Sequence, residues 1–245
     1  FGLCQLGYGP ISDMVGRRRP LLFGLCLFAA ASIGCMLAPS IEVLIAFRLL
    51  QGIGASAVMV IPRAVVRDLY SGIEATRMMA LVMLVISVGP MLAPFFGSLL
   101  IAPFGWRAVF AAIGLVAVVG IMLVLRILPE TRPPEHRIPF RVADLLASVR
   151  ILCTDPVFLA LSGIGGLGMA SFFAFLSSSS FLYIEHFGLT PTQFSLAFSF
   201  NAIGFFAASQ FAARLGARHG IPRVIRRAVA GYATGAALLL GVTLA

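Results

Sequence analysis

Charged residues are scarce in this sequence: they make up 11% of the chain, whereas a soluble domain has roughly 25%. Hydrophobic residues make up 60%. Nine acids and eighteen bases are too few to cover the surface of a soluble fold of 245 residues. Lipid-facing side chains, in contrast, should be apolar. The composition therefore predicts an integral membrane protein and argues against a soluble enzyme.

Lysine is absent, so all eighteen bases are arginine and the formal net charge is +9. Such a charge is also found in nucleic-acid-binding proteins, but here nearly every arginine lies in a short segment between apolar runs. Bases at the ends of apolar runs anchor helices to one membrane face. We therefore expect a lipid bilayer, and no nucleic acid, as the partner of this charge.

Clusters of metal-ligating or catalytic residues are also missing. The four cysteines form no Cys-x-x-Cys pair and no group with histidine, so neither a disulfide framework nor a zinc site is indicated. A membrane enzyme should show His, Asp or Cys clusters at the mouths of its spans, and a channel should show a filter-like repeat or a charged ring. The sequence has neither pattern, which favours a transporter with no metal and no cofactor.

Long apolar runs dominate what is present. A helix needs about 20 apolar residues to cross the hydrocarbon core. Both ends of the chain lie inside such runs and the first residue is not Met, so we expect the chain to be part of a longer protein. Eight spans are predicted, in a polytopic all-α bundle: 1–11, 20–41, 41–66, 78–106, 108–125, 156–184, 187–213 and 228–245.

The arginines fix the topology of these spans. Sixteen of the eighteen lie on alternate connections, and the intervening connections hold only Arg107. By the positive-inside rule, the arginine-rich loops are cytoplasmic.

The one long connection, residues 129–155, begins with a polar break. Apolar residues then recur at i, i+3, i+4, i+7 and i+10, which predicts an amphipathic helix on the cytoplasmic interface. We therefore divide the chain into an N-terminal helical half (1–128), a linker (129–155) and the start of a second half (156–245). The periodic positions are Val142, Leu145, Leu146, Val149 and Leu152.

Residues 9–21 carry the most specific motif. Asp13 and Arg17 are four apart and can pair on one helix face, while Gly9 and Gly16 permit close helix approach and a tight turn. The pattern resembles the Gly-x-Leu-x-Asp-x-x-Gly-Arg-Arg loop between helices 2 and 3 of the major facilitator superfamily, with Ile11 in place of Leu.

That resemblance implies two parallel six-helix halves, of which this chain covers about helices 2–9, and transport by alternating access. A weak internal repeat agrees with it, because a second Gly-x-x-Arg loop begins at Gly220 with Ala217 where Asp13 would align. The resemblance also implies a set of conformational gating residues, namely Gly9, Asp13, Gly16, Arg17, Arg18 and Asp68.

Arg48 lies roughly 10 Å inside the third span at 1.5 Å rise per residue. Burying it costs about 2.5–3.5 kcal/mol on insertion scales, so we expect it to face the bundle interior with a partner, although snorkelling toward one membrane face is an alternative. The segment resembles the family's Arg-x-x-Gln-Gly motif on helix 4, which implies a proton-coupling role for Arg48 and makes Gln51 a substrate-cavity candidate.

The fifth helix of the resembled fold carries a stripe of small residues, Gly89, Ala93 and Gly97, suited to close helix contact. Pro90 and Pro94 each remove an N–H and should bend the helix. A merely kinked structural helix is the alternative; the stretch resembles the antiporter motif of the family.

Several runs narrow the resemblance to the Bcr/CflA drug-resistance exporters: residues 67–79, Gly105-Trp106-Arg107, and Leu128-Pro129-Glu130-Thr131. This implies a proton-coupled multidrug or antibiotic efflux antiporter in the bacterial cytoplasmic membrane, driven by the proton gradient alone. A small amphipathic or apolar compound would be the substrate and the protein a monomer. Transport of a native metabolite by the same fold is the alternative.

No acid lies at the centre of any span, so the carboxylate that proton antiport needs is expected on helices that precede or follow this sequence. Phenylalanines are numerous in helices 7 and 8, where facing lipid or packing is their default. The candidates for an apolar substrate cavity there are Phe172, Phe175, Phe198 and the carboxamide Asn201.

Overall fold

The computed structural model of the chain describes the backbone of residues 1–137 and 142–244. Within the helices, some side chains fall outside that description, including those of Pro90, Met91 and Pro94. The described part contains helices and no strand, which confirms the predicted all-α fold. The helices are α1 Gly2–Val15, α2 Arg18–Leu37, α3 Ile41–Leu69, α4 Gly72–Phe104, α5 Arg107–Ile127, α6 Val142–Thr154, α7 Pro156–Phe181, α8 Pro191–His219 and α9 Ile221–Leu244.

Each of the eight predicted spans coincides with a helix, and α6 coincides with the predicted amphipathic segment. Among the described residues, four helices are long and apolar enough to cross a membrane: α2, α3, α5 and the segment Pro156–His186, in which a π-helical turn (Leu182–His186) continues α7. The other four predicted spans coincide in position with α1, α4, α8 and α9.

Two boundaries differ from the prediction. Helix α8 begins at Pro191 rather than at residue 187, because the Thr190 side chain accepts from the Gln193 N–H and the Gln193 side chain accepts from the Thr190 N–H. This capping box fixes the first turn. Helix α9 begins at Ile221 rather than at residue 228, so three arginines that were placed in a loop lie in its first two turns.

The chain divides into two units, residues 1–147 and 148–245. The three-part division at residues 128 and 155 stays a prediction.

In the first unit, α2 packs against both α3 and α5, and α1 packs against α3. The backbones of α2 and α3 approach closely at Gly24 and Gly54, where a Cβ on Gly54 would lie 2.5 Å from the Gly24 carbonyl oxygen. Small residues let helix backbones approach in this way. A buried core lies between the N-terminal half of α2 and the C-terminal parts of α1, α3 and α5. It comprises Tyr8, Leu21, Leu25, Ala57, Ile61 and Val65.

Candidate functional site

The turn between α1 and α2 begins the site. Gly16 ends α1 with φ +102° and ψ 167°, a conformation that is essentially restricted to glycine. The turn places Arg17 at the N-cap of α2. The same device occurs between α8 and α9, where Gly220 has φ +81°. The weak repeat seen in the sequence therefore has a counterpart in the backbone.

The Arg17 side chain is only 4% exposed and uses its whole guanidinium group. Its Nη2 pairs with Asp13 at 2.7 Å, its Nε donates to Asp68 Oδ2 at 2.7 Å, and its Nη1 donates to the Ser12 hydroxyl at 2.6 Å. The structure thus brings together Asp13 and Arg17 of the motif and Asp68, which the family resemblance added. Their gating role stays a prediction.

Burial by itself lowers the pKa of Arg17. The hydrogen bond to Asp68 and the charges of Asp13 and Asp68 together raise it by more, so the pKa of Arg17 lies above its usual value. A raised pKa means that stabilisation by the cation is complete at physiological pH and is lost only at extreme alkaline pH. Arg17 is therefore a permanent charge.

A fourth helix end joins the cluster through Glu130, just beyond α5. Its carboxylate accepts from the backbone N–H groups of Arg17, at 2.7 Å, and of Arg18, at 3.3 Å. No side chain at the N-cap performs this task, since the Arg17 side chain makes no cap hydrogen bond. An anion at a helix N-terminus also interacts favourably with the helix dipole. Glu130 therefore caps α2 from a distant part of the chain.

Glycine at position 16 also provides the space that Glu130 needs. A Cβ there would lie 2.5 Å from Glu130 Oε2, closer than real Cβ contacts come. Neither Glu130 nor this contact was assigned to the site from the sequence. The available signal was the Pro-Glu-Thr run after a span, together with a glycine before a row of arginines.

The segment after α5 adds further contacts. Arg132 pairs with Asp13 at 3.0 Å, and the Thr131 hydroxyl donates to Asp68 at 3.4 Å. The Arg18 side chain donates from Nη2 to the Leu125 carbonyl at 2.6 Å. We call Ser12, Asp13, Arg17, Asp68, Glu130 and Arg132 the α1–α5 charge cluster.

Nearer the N-terminal end of α3, Arg48 belongs to a separate chain of hydrogen bonds, here called the Arg48 chain. Its Nη1 donates to Gln51 Oε1 at 2.5 Å, and Gln51 Nε2 donates to the Ser32 hydroxyl at 2.7 Å. The guanidinium carbon also lies 5.8 Å from the centre of the Phe110 ring, within cation–π range. Arg48 thus has two uncharged partners within this sequence.

Two details of this region differ from expectation. The Arg48 side chain is exposed on the surface of this chain rather than enclosed by the described helices. Gln51, a substrate-cavity candidate, is 2% exposed and is held between Ser32 and Arg48. Its position suits orienting Arg48, and its contact with a substrate stays a prediction.

Helix α4 runs without interruption through the positions of Pro90 and Pro94, whose side chains lie outside the described set. No described atom of another element lies within 4 Å of a Cβ placed on Gly89 or Gly97, and Ala93 is exposed. The expected close helix contact along this stripe is therefore not made by the described elements. The same holds for Gly9.

In the second unit, two of the candidate phenylalanines pack on each other. Phe175 of α7 stacks on Phe198 of α8, with ring centres 6.1 Å apart and planes 10° apart. Phe198 is buried, whereas Asn201 is exposed one turn further on. Phe172 forms an edge contact with Phe173. Their role in a substrate cavity stays a prediction.

Groups of three or more His, Cys, Asp or Glu suited to a metal ion are not found among the described residues. The sequence motifs point to two polar sites in the described part, the charge cluster and the Arg48 chain.

Comparison with known proteins agrees with the motifs. The chain matches the Major Facilitator Superfamily over residues 1–245. It is 35% identical to the MFS-type transporter YdgK of Bacillus subtilis over 98% of this chain and 60% of that protein. It is also 35% identical to a chloramphenicol resistance protein of Pseudomonas aeruginosa, over 97% of this chain and 56% of the relative. The chain thus spans little more than half the length of these relatives.

A solved structure supports the same fold. The crystal structure of the human organic anion transporter MFSD10 (TETRAN) matches with a TM-score of 0.61 and 27% identity, over 82% of this chain and 51% of that one. The relatives bear out the resemblance to the drug-resistance branch, and they are transporters and resistance proteins rather than enzymes. The chain therefore belongs to the Major Facilitator Superfamily.

Proposed function

We propose that this chain is the central part, about helices 2–9, of a proton-coupled exporter that works by alternating access and carries small amphipathic or apolar compounds. The observation that supports this most is the buried Arg17, which pairs with Asp13 and Asp68 at the converging ends of α1, α2 and α3. A buried charge held by two acids from different helices favours one arrangement of those helices and disfavours others.

The exposures within the cluster suit a reversible contact. Arg17 is 4% exposed, whereas the side chains of Asp68 and Asp13 are 18% and 38% exposed. When the helix ends separate, the two acids regain water easily, so the cost of opening falls mainly on Arg17 and on the α2 N–H groups that Glu130 caps. The cluster therefore acts as a latch that stabilises one conformation. We assign gating to it, with Gly9, Gly16 and Arg18 shaping the turn.

Proton coupling is assigned to Arg48. Its described partners, Gln51 and Phe110, carry no charge, so a carboxylate from helices beyond this sequence is proposed to balance it. Arg48 would lower the pKa of that carboxylate while burial would raise it, and proton coupling depends on the balance of these two effects. Gln51, fixed by Ser32, orients the guanidinium toward that partner.

The class of substrate is proposed from the resistance proteins among the relatives and from the candidate phenylalanines of α7 and α8. One relative is a chloramphenicol resistance protein, which favours antibiotic or multidrug efflux. We place Phe172, Phe175, Phe198, Asn201 and Gln51 along the substrate path. The Gly89–Gly97 stretch with Pro90 and Pro94 is proposed to serve as the antiporter motif. Export or import of a native metabolite is the second candidate.

The remaining assignments follow from the same proposal. The full protein is placed in the bacterial cytoplasmic membrane as a multi-pass monomer, with the arginine-rich loops on the cytoplasmic side. The proton gradient is its driving force, without a cofactor. Residues 1–128 and 156–245 are proposed to belong to two transporter halves, joined by the linker 129–155.

Drug susceptibility tests this function. Cells expressing the full-length protein are compared with cells expressing an Arg48→Ala variant, across antibiotics that include chloramphenicol, with and without a proton uncoupler. We expect resistance that requires both Arg48 and the proton gradient. Unchanged susceptibility, together with altered levels of an internal metabolite, would favour the second candidate.

A further inference from the structure

A cavity of about 380 Å³ lies at the N-terminal end of α2, on the side facing the end of α5. Its volume falls within the range of roughly 300–1,000 Å³ that is usual for small-ligand sites. Three of its lining residues are arginines. The cavity adjoins the charge cluster, with which it shares Glu130 and the neighbouring Arg18. The lining residues are Arg18, Arg19, Leu22, Leu125, Glu130 and Arg137.

The charges around this cavity are not balanced from within. Three guanidinium groups face one carboxylate, and Glu130 already accepts from the N–H groups of Arg17, Arg18 and Arg132. Its capacity is therefore committed to capping α2. The cavity consequently carries a net positive charge.

Two buried donors at this cavity have no acceptor. Among the residues that the structure describes, Nε of Arg18 and Nε of Arg137 are buried and form no hydrogen bond. Arg18 is not free to turn toward another partner, because its Nη2 is held by the Leu125 carbonyl at 2.6 Å. Buried donors are normally paired, so two such groups at one cavity indicate a missing acceptor.

The acceptor that fits is an anion with several oxygens. A guanidinium group offers a planar fork that suits phosphate oxygens, and it binds them more strongly than neutral groups do. Apolar residues at the edge of the cavity would suit a ligand that also has a hydrocarbon part. Leu22 and Leu125 line the cavity, and Leu125 is 51% exposed on the surface of α5.

We propose that this cavity binds the phosphate of an anionic phospholipid, with Arg18, Arg19 and Arg137 holding the headgroup and the apolar surface of α2 and α5 receiving the acyl chains. Basic pockets between transmembrane helices on the cytoplasmic side are suited to such headgroups. The predicted topology places this end of α2 and α5 at the cytoplasmic leaflet. The proposal does not depend on what the protein transports.

The test measures lipid binding to the full-length protein in detergent by native mass spectrometry and by thermal shift. The ligands are phosphatidylglycerol, zwitterionic phosphatidylcholine and inorganic phosphate. The double variant Arg19→Gln/Arg137→Gln removes two charges of the cavity. Arg126→Gln is the matched control, because it removes one cationic side chain at the same helix end without lining the cavity.

We expect phosphatidylglycerol to bind and to raise the melting temperature, phosphatidylcholine to bind more weakly, and the double variant to lose about tenfold or more in affinity for phosphatidylglycerol. Arg126→Gln should keep wild-type binding. If the double variant does not fold, Arg137→Gln alone should show a smaller loss. Equal binding by wild type and the cavity variants would overturn the proposal, and inorganic phosphate that competes as well as the lipid would overturn its lipid part.

Discussion

The carboxylate of Glu130 occupies the space that a side chain on residue 16 would need: a Cβ on Gly16 would lie 2.5 Å from Glu130 Oε2. The same carboxylate accepts from the two backbone N–H groups that follow this glycine. One residue at the end of α5 thereby fixes the turn between α1 and α2, 113 residues earlier in the chain. The loop therefore needs glycine at position 16 for two reasons: the positive φ of the turn, and the space that the Glu130 carboxylate occupies.

Replacing Gly16 with alanine should destabilise the first unit. The φ of +102° alone costs about 1–3 kcal/mol for a residue with a side chain, and the new methyl group must also push Glu130 out of its capping position. Gly220→Ala is the matched control, since Gly220 has a positive φ but nothing within 4 Å of its Cβ position. The melting temperature of the full-length protein should fall more for Gly16→Ala.

Glu130→Ala, alone and combined with Gly16→Ala, shows whether displacement of Glu130 causes the additional loss. Because both changes break one contact, their effects should add to less than the sum. Strict additivity, or equal shifts for the two glycine variants, would contradict the capping role.

Asp13→Asn should reduce transport by about tenfold or more while leaving expression and membrane insertion near wild type. The change removes the negative charge that faces Arg17 at 2.7 Å and Arg132 at 3.0 Å, but it keeps the shape of the side chain. Glu74→Gln is the control, because Glu74 is an exposed acid at the start of α4. Substrate flux in Asp13→Asn equal to that of Glu74→Gln would remove the latch assignment.

Local spacing predicted the part of the cluster that is local in sequence. Asp13 and Arg17 are four residues apart, and this spacing predicted their pairing on one helix face. The pair does form, but α1 ends at Val15, so the contact spans the turn at Gly16 and not a continuous helix. Asp68 was identified only through the family resemblance, because its contact with Arg17 crosses 51 residues. Glu130 was missed because a carboxylate that caps a distant helix has no local pattern. Its function depends on how α2 and α5 pack.

The Arg48 region also has contacts that the sequence did not predict. The depth of Arg48 in its span predicted a need for partners, but not which residues supply them. Gln51 at i+3 was within reach by spacing alone, whereas Phe110 comes from α5 and Ser32 from α2. The small-residue stripe of α4 predicted a close contact that the described helices do not make, because periodicity indicates a face and not its partner.

The topology is tested with single cysteines in a background that lacks the four native ones. Pro134→Cys, on the arginine-rich side, should resist an impermeant thiol reagent in intact cells, and Ser40→Cys, on the opposite side between α2 and α3, should react. Both positions are exposed in the structure, so access across the membrane decides the result. Labelling of Pro134→Cys in intact cells would invert the assignment.

Arg48→Ala should abolish proton-driven efflux while substrate binding is retained, and Arg48→Lys should restore efflux only in part. A lysine lacks the planar fork that reaches Gln51 and stacks on Phe110. Arg107→Ala is the comparison, because Arg107 is a second arginine near the C-terminal end of α2 but donates to the backbone carbonyls of Met36 and Ala38. Full, uncoupler-sensitive efflux by Arg48→Ala would show that coupling runs through other residues.

The latch is tested most directly by chloramphenicol uptake into inverted membrane vesicles that contain the full-length protein and are energised by a pH gradient, with Arg17→Lys compared to wild type at equal protein amount. Arg17 bonds to Asp13, Asp68 and Ser12 through three different nitrogens, a geometry that one ammonium group cannot reproduce. We expect uptake to fall about tenfold or more in Arg17→Lys and to stay near wild type in Arg126→Lys. Wild-type uptake by Arg17→Lys would contradict the account.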